Sequence, residues 1–282
     1  MHVQGKSIVE KLKLSCLLEG VVEDDFHELP SIKMHDVIRD MALWLFRDQD
    51  VNKDKVIVEG ETLATESEMN FERLNAVERI SIINAGESWR VPLCPNLITL
   101  CIRKNINPYS TLQFMSKLKV LDLSRIGIEH LPSEIGKLIN LEFLNLSMTS
   151  IQKRFPTDLK NLENLRVLLM EKVGFDLQII PLEVIESLLR LRVFRIVNIW
   201  KLENFKGEKT FLEKLESGPK LEELWIELST LAGMHKLLHS SKLRDCSTCC
   251  YLNGSKDQLE MASILESLST MNNQTVIQLK KW

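Results

Sequence analysis

The sequence predicts an α/β solenoid, a stack of coils in which each turn of chain supplies one short parallel strand and one return segment. Three observations predict it. Between residues 118 and 170 the pattern Leu, two variable residues, Leu, one variable residue, apolar is written three times, as Leu118/Leu121/Leu123, Leu141/Leu144/Leu146 and Leu165/Leu168/Met170. The starts lie 23 and then 24 residues apart, and a fixed period of this size marks a repeated supersecondary unit. Each strand is also followed by a legible way back: Ser124, Ile128 and Leu131-Pro132, then Ser147, Ile151 and Phe155-Pro156, then Ile180-Pro181. Proline suits the non-strand side of a coil, where no ladder needs its missing N–H.

The period falls inside the window of about 20–29 residues that leucine-rich repeats occupy. In such a coil the first, fourth and sixth strand positions turn inward, and the parallel strands line the concave face. One coil buries too little apolar surface to offset the cost of ordering it, so neighbours must stack on both sides. They are present. Upstream, Leu97/Leu100/Ile102 fits the pattern, and Val77/Ile80/Ile82 fits with β-branched residues. Downstream, Leu191/Phe194/Ile196 and Leu221/Leu224/Ile226 follow after longer coils of 26 and 30 residues, and a last, degraded strand falls within Cys249 to Leu252. The expected solenoid covers residues 77–282 in seven to eight coils. The ninth position, where many such repeats carry Asn, holds Ile126, Thr149 and Val173; only the Thr149 hydroxyl can stand in for the amide, which predicts less regular curvature.

Composition narrows the function classes. The chain has 282 residues, 44% hydrophobic and 27% charged, with 36 Lys and Arg against 39 Asp and Glu. A net charge of -3 gives no global attraction to nucleic acid or to an anionic membrane. No apolar run reaches membrane-spanning length, and Lys6, Glu10, Lys11 and Lys13 interrupt the start, so neither a membrane span nor a signal peptide is expected. The six cysteines, without a repeated paired spacing, read as reduced thiols. A cytoplasmic protein is the expectation.

Ahead of the repeats, residues 7–19 place Ile8, Leu12 and Cys16 on one face, which predicts a helix ended by Gly20. Acidic, turn-like chain follows around Glu23, Asp24 and Asp25. Ile32, Met34, Val37, Ile38, Met41 and Leu45 then resume at helical spacing, with Asp36 suited to the helix start. Residues 47–76 are polar apart from Val56 to Val58, and read as a connector carrying one short strand.

The segment KMHDVIRDMALWL, residues 33–45, resembles the end of the nucleotide-binding region in plant intracellular immune receptors, the coiled-coil nucleotide-binding leucine-rich-repeat disease resistance proteins. Met34-His35-Asp36 matches that family's MHD motif, KLKLSCLLEG resembles the helix of its winged-helix subdomain, and the repeat segments, TFLEKLESGPKLEELWIEL and KLRDCSTCCYLNG resemble its repeats. The likeness implies a partial winged-helix subdomain over residues 1–46. It also implies a switch, in which His35 reads the phosphate end of ADP and Asp36 supports the local fold. Partners implied by the family are the receptor's own nucleotide-binding domain, a pathogen effector or a guarded host protein. No complete phosphate-binding loop precedes residue 1, so ADP or ATP is expected of the full-length family and no cofactor of this chain, which reads as truncated.

Two other patterns are read as plain structure. Gly5-Lys6-Ser7 looks like the tail of a phosphate-binding loop, yet it lacks the presenting strand and the first glycine, and is read as a helix start. His235, His239, Cys246 and Cys249 have spacings that zinc accepts, but Cys246 to Cys250 falls where a strand needs small apolar residues, so no metal is expected. No catalytic arrangement is evident. What remains is recognition on the strand face, at positions two and five of the coils: Lys119, Asp122, Glu142, Asn145, Arg166, Arg192, Arg195, Glu222 and Trp225. Around Arg166, Arg192 and Arg195 this face is expected to be basic, with Trp225 and Glu222-Glu223 adjoining. The reading is a non-enzymatic recognition and autoregulatory segment in plant defence; the alternative is a stand-alone protein-binding scaffold with no nucleotide role.

Overall fold

A computed structural model describes residues 11, 18–21, 31–34, 56–59, 71–82, 91–103, 109–151, 155–173, 180–197, 207–228, 230–253 and 276–280. The chain divides into two compact units, residues 1–55 and 56–282. In the first, β1 (Leu18–Val21) pairs antiparallel with β2 (Ser31–Met34), Leu18 opposite Met34 and Val21 opposite Ser31. This corrects two expectations, a helix running to Glu19 and a helical pattern resuming at Ile32. Ile32 and Met34 are two apart, the strand period, and four residues are too few to separate that period from the helical one.

The second unit is built on one ten-stranded sheet in which every strand lies beside its sequence neighbours, all of them parallel. Its strands are β3 (Val56–Glu59), β4 (Arg79–Ile82), β5 (Thr99–Ile102), β6 (Val120–Asp122), β7 (Phe143–Asn145), β8 (Val167–Glu171), β9 (Val193–Val197), β10 (Glu223–Leu228), β11 (Ser247–Asn253) and β12 (Val276–Lys280). The fold is the expected leucine-rich-repeat solenoid. Register follows the repeat: Ile80, Leu100, Leu121, Leu144, Leu168, Phe194 and Leu224 face one another strand by strand. All seven are buried, as are their sixth-position companions Ile82, Ile102, Leu123, Leu146, Met170, Ile196 and Ile226. Burial of two such rows supplies the hydrophobic stabilisation that no single coil has.

Two strands of the sheet are not among the coils read from the repeat pattern. The short strand expected at Val56 to Val58 is β3, which pairs with β4, Ile57 beside Ile80, as the first strand of the sheet. At the other end β12 pairs with β11, Leu279 beside Leu252. Neither carries the three-point leucine pattern.

On the return side each Pro opens a tight turn. Pro132 leads into a 3-10 turn, Ser133–Lys137, Pro156 into a second, Thr157–Asn161, and Pro181 into the helix α3, Leu182–Ser187, all three with extended ψ. (The earlier helices are α1, Phe71–Ala76, and α2, Tyr109–Leu112; α4, Glu208–Ser217, α5, Leu231–His239, and α6, Ser241–Cys246, fill the later, longer coils.) Packing between the two 3-10 turns is close enough to require Gly136, where a Cβ would stand 2.5 Å from the Asp158 carbonyl oxygen.

The strand-to-return turn is also repeated. Arg125, Met148 and Lys172, at the eighth position of successive coils, all take left-handed backbone, with φ of 64°, 59° and 52°. The ninth position is filled by buried Ile126, Thr149 and Val173, and the Thr149 hydroxyl donates to the Leu146 carbonyl at 2.7 Å. Amide cross-links appear elsewhere, just before the first strand position. Asn96 Nδ2 donates to the Asn75 carbonyl at 2.8 Å, and Asn140 Nδ2 to the Ser116 carbonyl at 2.8 Å, each one coil back.

Candidate protein-binding face

Alternation along a strand sends positions four and six into the core and three, five and seven to the open face. Position five therefore forms a row across the sheet, and Ser81, Cys101, Asp122, Asn145, Leu169, Arg195 and Trp225 are all half-buried there. The row serves two different purposes. Asp122 Oδ1 accepts from the Ser124 N–H at 2.9 Å, and Asn145 Oδ1 from the Ser147 N–H at 3.0 Å. Both side chains close the turn leading into the left-handed eighth position, so an acceptor of each is committed to the fold.

From β8 onward the strands lengthen from three residues to five and six, and the seventh position joins the open face. This places Glu171, Val197 and Glu227 beside the fifth-position residues. The Arg195 guanidinium lies over the Trp225 ring, its carbon 4.2 Å from the centroid. Its Nε and Nη2 reach Glu223 Oε1 at 2.7 and 2.6 Å, and its Nη1 reaches Glu171 Oε1 at 3.3 Å. Trp225 packs against Val197 in a small apolar cluster separate from the main core. Among the described residues its Nε1 is buried without a hydrogen-bond partner. Burial pushes the Glu171 carboxyl up from the ordinary carboxylate range, against the opposing pull of Arg195.

The expectation of a basic patch is corrected by these pairs. Arg166 Nε stands 3.6 Å from Glu142 Oε2, Lys119 Nζ 3.1 Å from Glu142 Oε1, and Arg192 pairs with Glu222. With Arg195 held by Glu171 and Glu223, each cation on this part of the face has a carboxylate beside it, because Glu142, Glu171, Glu222 and Glu223 arrive from the neighbouring coils. Sequence reasoning brought Arg195 and Trp225 to one place. It missed Glu171 and Val197, which lie one step past the six-residue pattern; the signal was there in the strand-forming runs Val167-Leu-Leu-Met-Glu171 and Val193-Phe-Arg-Ile-Val197.

His35, Asp36 and Gly5-Lys6-Ser7 lie outside the described residues. The His235 and His239 pair sits on the helix α5, exposed, with His239 Nδ1 2.7 Å from the His235 carbonyl oxygen. Cys246 is buried and its thiol donates to the Leu243 carbonyl at 3.2 Å. Burial raises the thiols of Cys94, Cys101 and Cys246 to about 11, well away from a reactive thiolate. Among the described residues no group of three or more His, Cys, Asp or Glu could hold a metal ion, and no helix is long and apolar enough to cross a membrane.

Comparison with known proteins adds the following. The chain is 30% identical to the disease resistance protein RPS5 of Arabidopsis thaliana over 256 residues, 86% of this chain and 26% of that protein. It is 34% identical to the disease resistance protein RFL1 of the same plant over 198 residues, 67% of this chain and 22% of that protein. It thus spans about a quarter of the length of the curated relatives it matches. No protein-family model matches. Among solved structures, internalin C2 of Listeria monocytogenes superposes with a TM-score of 0.50 and 21% identity, over 74% of this chain and 83% of that one, a likeness of fold alone.

Proposed function

We propose that this chain, homologous to plant disease resistance proteins over most of its length, is the protein-recognition segment of such a receptor, and that partners dock on the open face of β8–β10. The observation that carries the reading is Arg195 held over the Trp225 ring by Glu223 and Glu171. Arg and Trp are the side chains most often found as interface anchors, and a pair already fixed in place loses little conformational freedom on binding. The face around it is near neutral, so the contact rests on shape, stacking and hydrogen bonding more than on charge. The role is non-enzymatic and cytoplasmic.

Within a whole receptor the segment also restrains signalling, with His35 reading the phosphate end of bound ADP and Asp36 supporting the local fold of residues 1–46, as the family resemblance implies. The partners are then the receptor's own nucleotide-binding domain, a pathogen effector or a guarded host protein. The alternative, a stand-alone scaffold with no nucleotide role, predicts no effect of His35.

The test is co-expression in leaf tissue of the chain with the nucleotide-binding region of RPS5, followed by co-precipitation and scoring of cell death. Trp225→Ala should weaken capture at least tenfold while leaving the circular dichroism spectrum unchanged. Equal capture by wild type and W225A would overturn the assignment of this face. With the chain joined to that region, His35→Ala should raise cell death; an unchanged level would favour the scaffold.

A further inference from the structure

The flank of the solenoid that precedes the strands differs in character from the open face. Phe114, Ile139 and Leu189, all within the few residues before a strand's first Leu, are 56%, 55% and 63% exposed. The cations beside them are tied to neutral oxygens. Lys117 Nζ donates to Asn96 Oδ1 at 2.7 Å, Lys137 Nζ to Gln113 Oε1 at 3.0 Å, and Arg190 Nη1 to Asn164 Oδ1 at 2.7 Å. Each bond runs to the coil before, which places these residues on one continuous surface. None of the three forms an ion pair among the described residues, whereas Arg166, Arg192 and Arg195 on the open face all do. The one carboxylate within the apolar row is exposed Glu163, at the position that Ile139 and Leu189 hold in the coils on either side.

From this we infer that the flank docks an acidic amphipathic helix of a partner protein. Successive coils are spaced at about 4.8 Å where their strands pair, close to the rise of about 5.4 Å per turn that separates side chains on one stripe of a helix. A helix lying across the coils can therefore set one apolar side chain beside each exposed one. Asp and Glu on its edges would meet Lys117, Lys137 and Arg190, whose amide partners hold them extended without neutralising them. The site is separate from the Arg195–Trp225 face and does not rest on it.

The experiment uses the full chain and two labelled synthetic peptides sharing one Leu stripe at helical spacing, one with Glu and one with Lys at all other positions. Fluorescence anisotropy should show the Glu peptide binding at least tenfold more tightly than the Lys peptide, less tightly as salt is raised. The double variant Phe114→Ser/Ile139→Ser, and separately Lys137→Glu/Arg190→Glu, should each cut that affinity at least tenfold, while Trp225→Ala leaves it unchanged. Equal binding of the two peptides, or indifference to both double variants, overturns the proposal. So does binding to phosphatidylserine vesicles without binding of the Glu peptide, which would make the flank a membrane surface.

Discussion

Asn164 donates its Nδ2 to the carbonyl of Ile139, 25 residues earlier and one coil back, at 2.9 Å. With Asn96 and Asn140 it forms a set of side-chain links that join successive coils outside the strand ladder. The familiar amide position, the ninth, is occupied by Ile126 and Val173. The amides have moved to the residue just before the first Leu. Asn140→Ala and Asn164→Ala should each cost about 1 kcal/mol and lower the melting temperature by roughly 2–4 °C, read by differential scanning calorimetry. Asn161→Ala, on an exposed residue of the return turn, is the control with no loss.

The left-handed eighth position makes an opposite prediction. A left-handed L residue is strained, and Met148, 39% exposed, gives up little packing if its side chain is removed. Met148→Gly should stabilise the chain by about 0.5–1 kcal/mol, the relief of strain exceeding the added freedom of the unfolded chain. A chemical-denaturation midpoint that falls instead would show that Met148 packs more than its exposure indicates.

The repeat itself was legible because it is written in core residues. Leu118/Leu121/Leu123 and its successors name both the strand and its inward face, and each lies where the spacing put it. Features that depend on one neighbour were not legible. The strand at Val56 to Val58 was legible but not its place in the sheet, β12 carries no leucine triad, and β1 and β2 are four-residue segments too short to show a period. The basic character expected near Arg166 failed for a related reason. Charge along a row counts only with the rows beside it, and Glu142, Glu171 and Glu223 arrive from neighbouring strands.

Arg195 and Trp225 should behave as one unit. A double-mutant cycle of Arg195→Ala and Trp225→Ala, scored by denaturant unfolding, is expected to give a coupling of about 0.5–2 kcal/mol. Arg195→Lys should not restore it, because the ammonium cannot lie flat on the ring while reaching Glu223 and Glu171.

Glu171 gives the pH dependence a sign. Burial raises its carboxyl above the ordinary 4.5, with Arg195 opposing. Between 4.5 and that raised value the folded chain keeps a proton that the unfolded chain has released. Stability from this group is therefore full below 4.5 and is lost as pH rises through the raised value. Glu171→Gln is neutral throughout, so its melting temperature relative to wild type should climb as pH rises through that interval. A flat difference would mean that Arg195 offsets the burial completely.

The stacking of β8 on β9 holds Glu171, Arg195 and, through them, Trp225, and it is the claim on which the recognition face depends. Val167 and Val193 are directly paired across those strands and half-buried on the open face. In Val167→Cys/Val193→Cys, a thiol-to-thiol bimane cross-link should form in the native chain well above the level of either single variant. A double variant no more fluorescent than the singles would show that the two strands do not lie side by side in this register, and the face built on them would not exist.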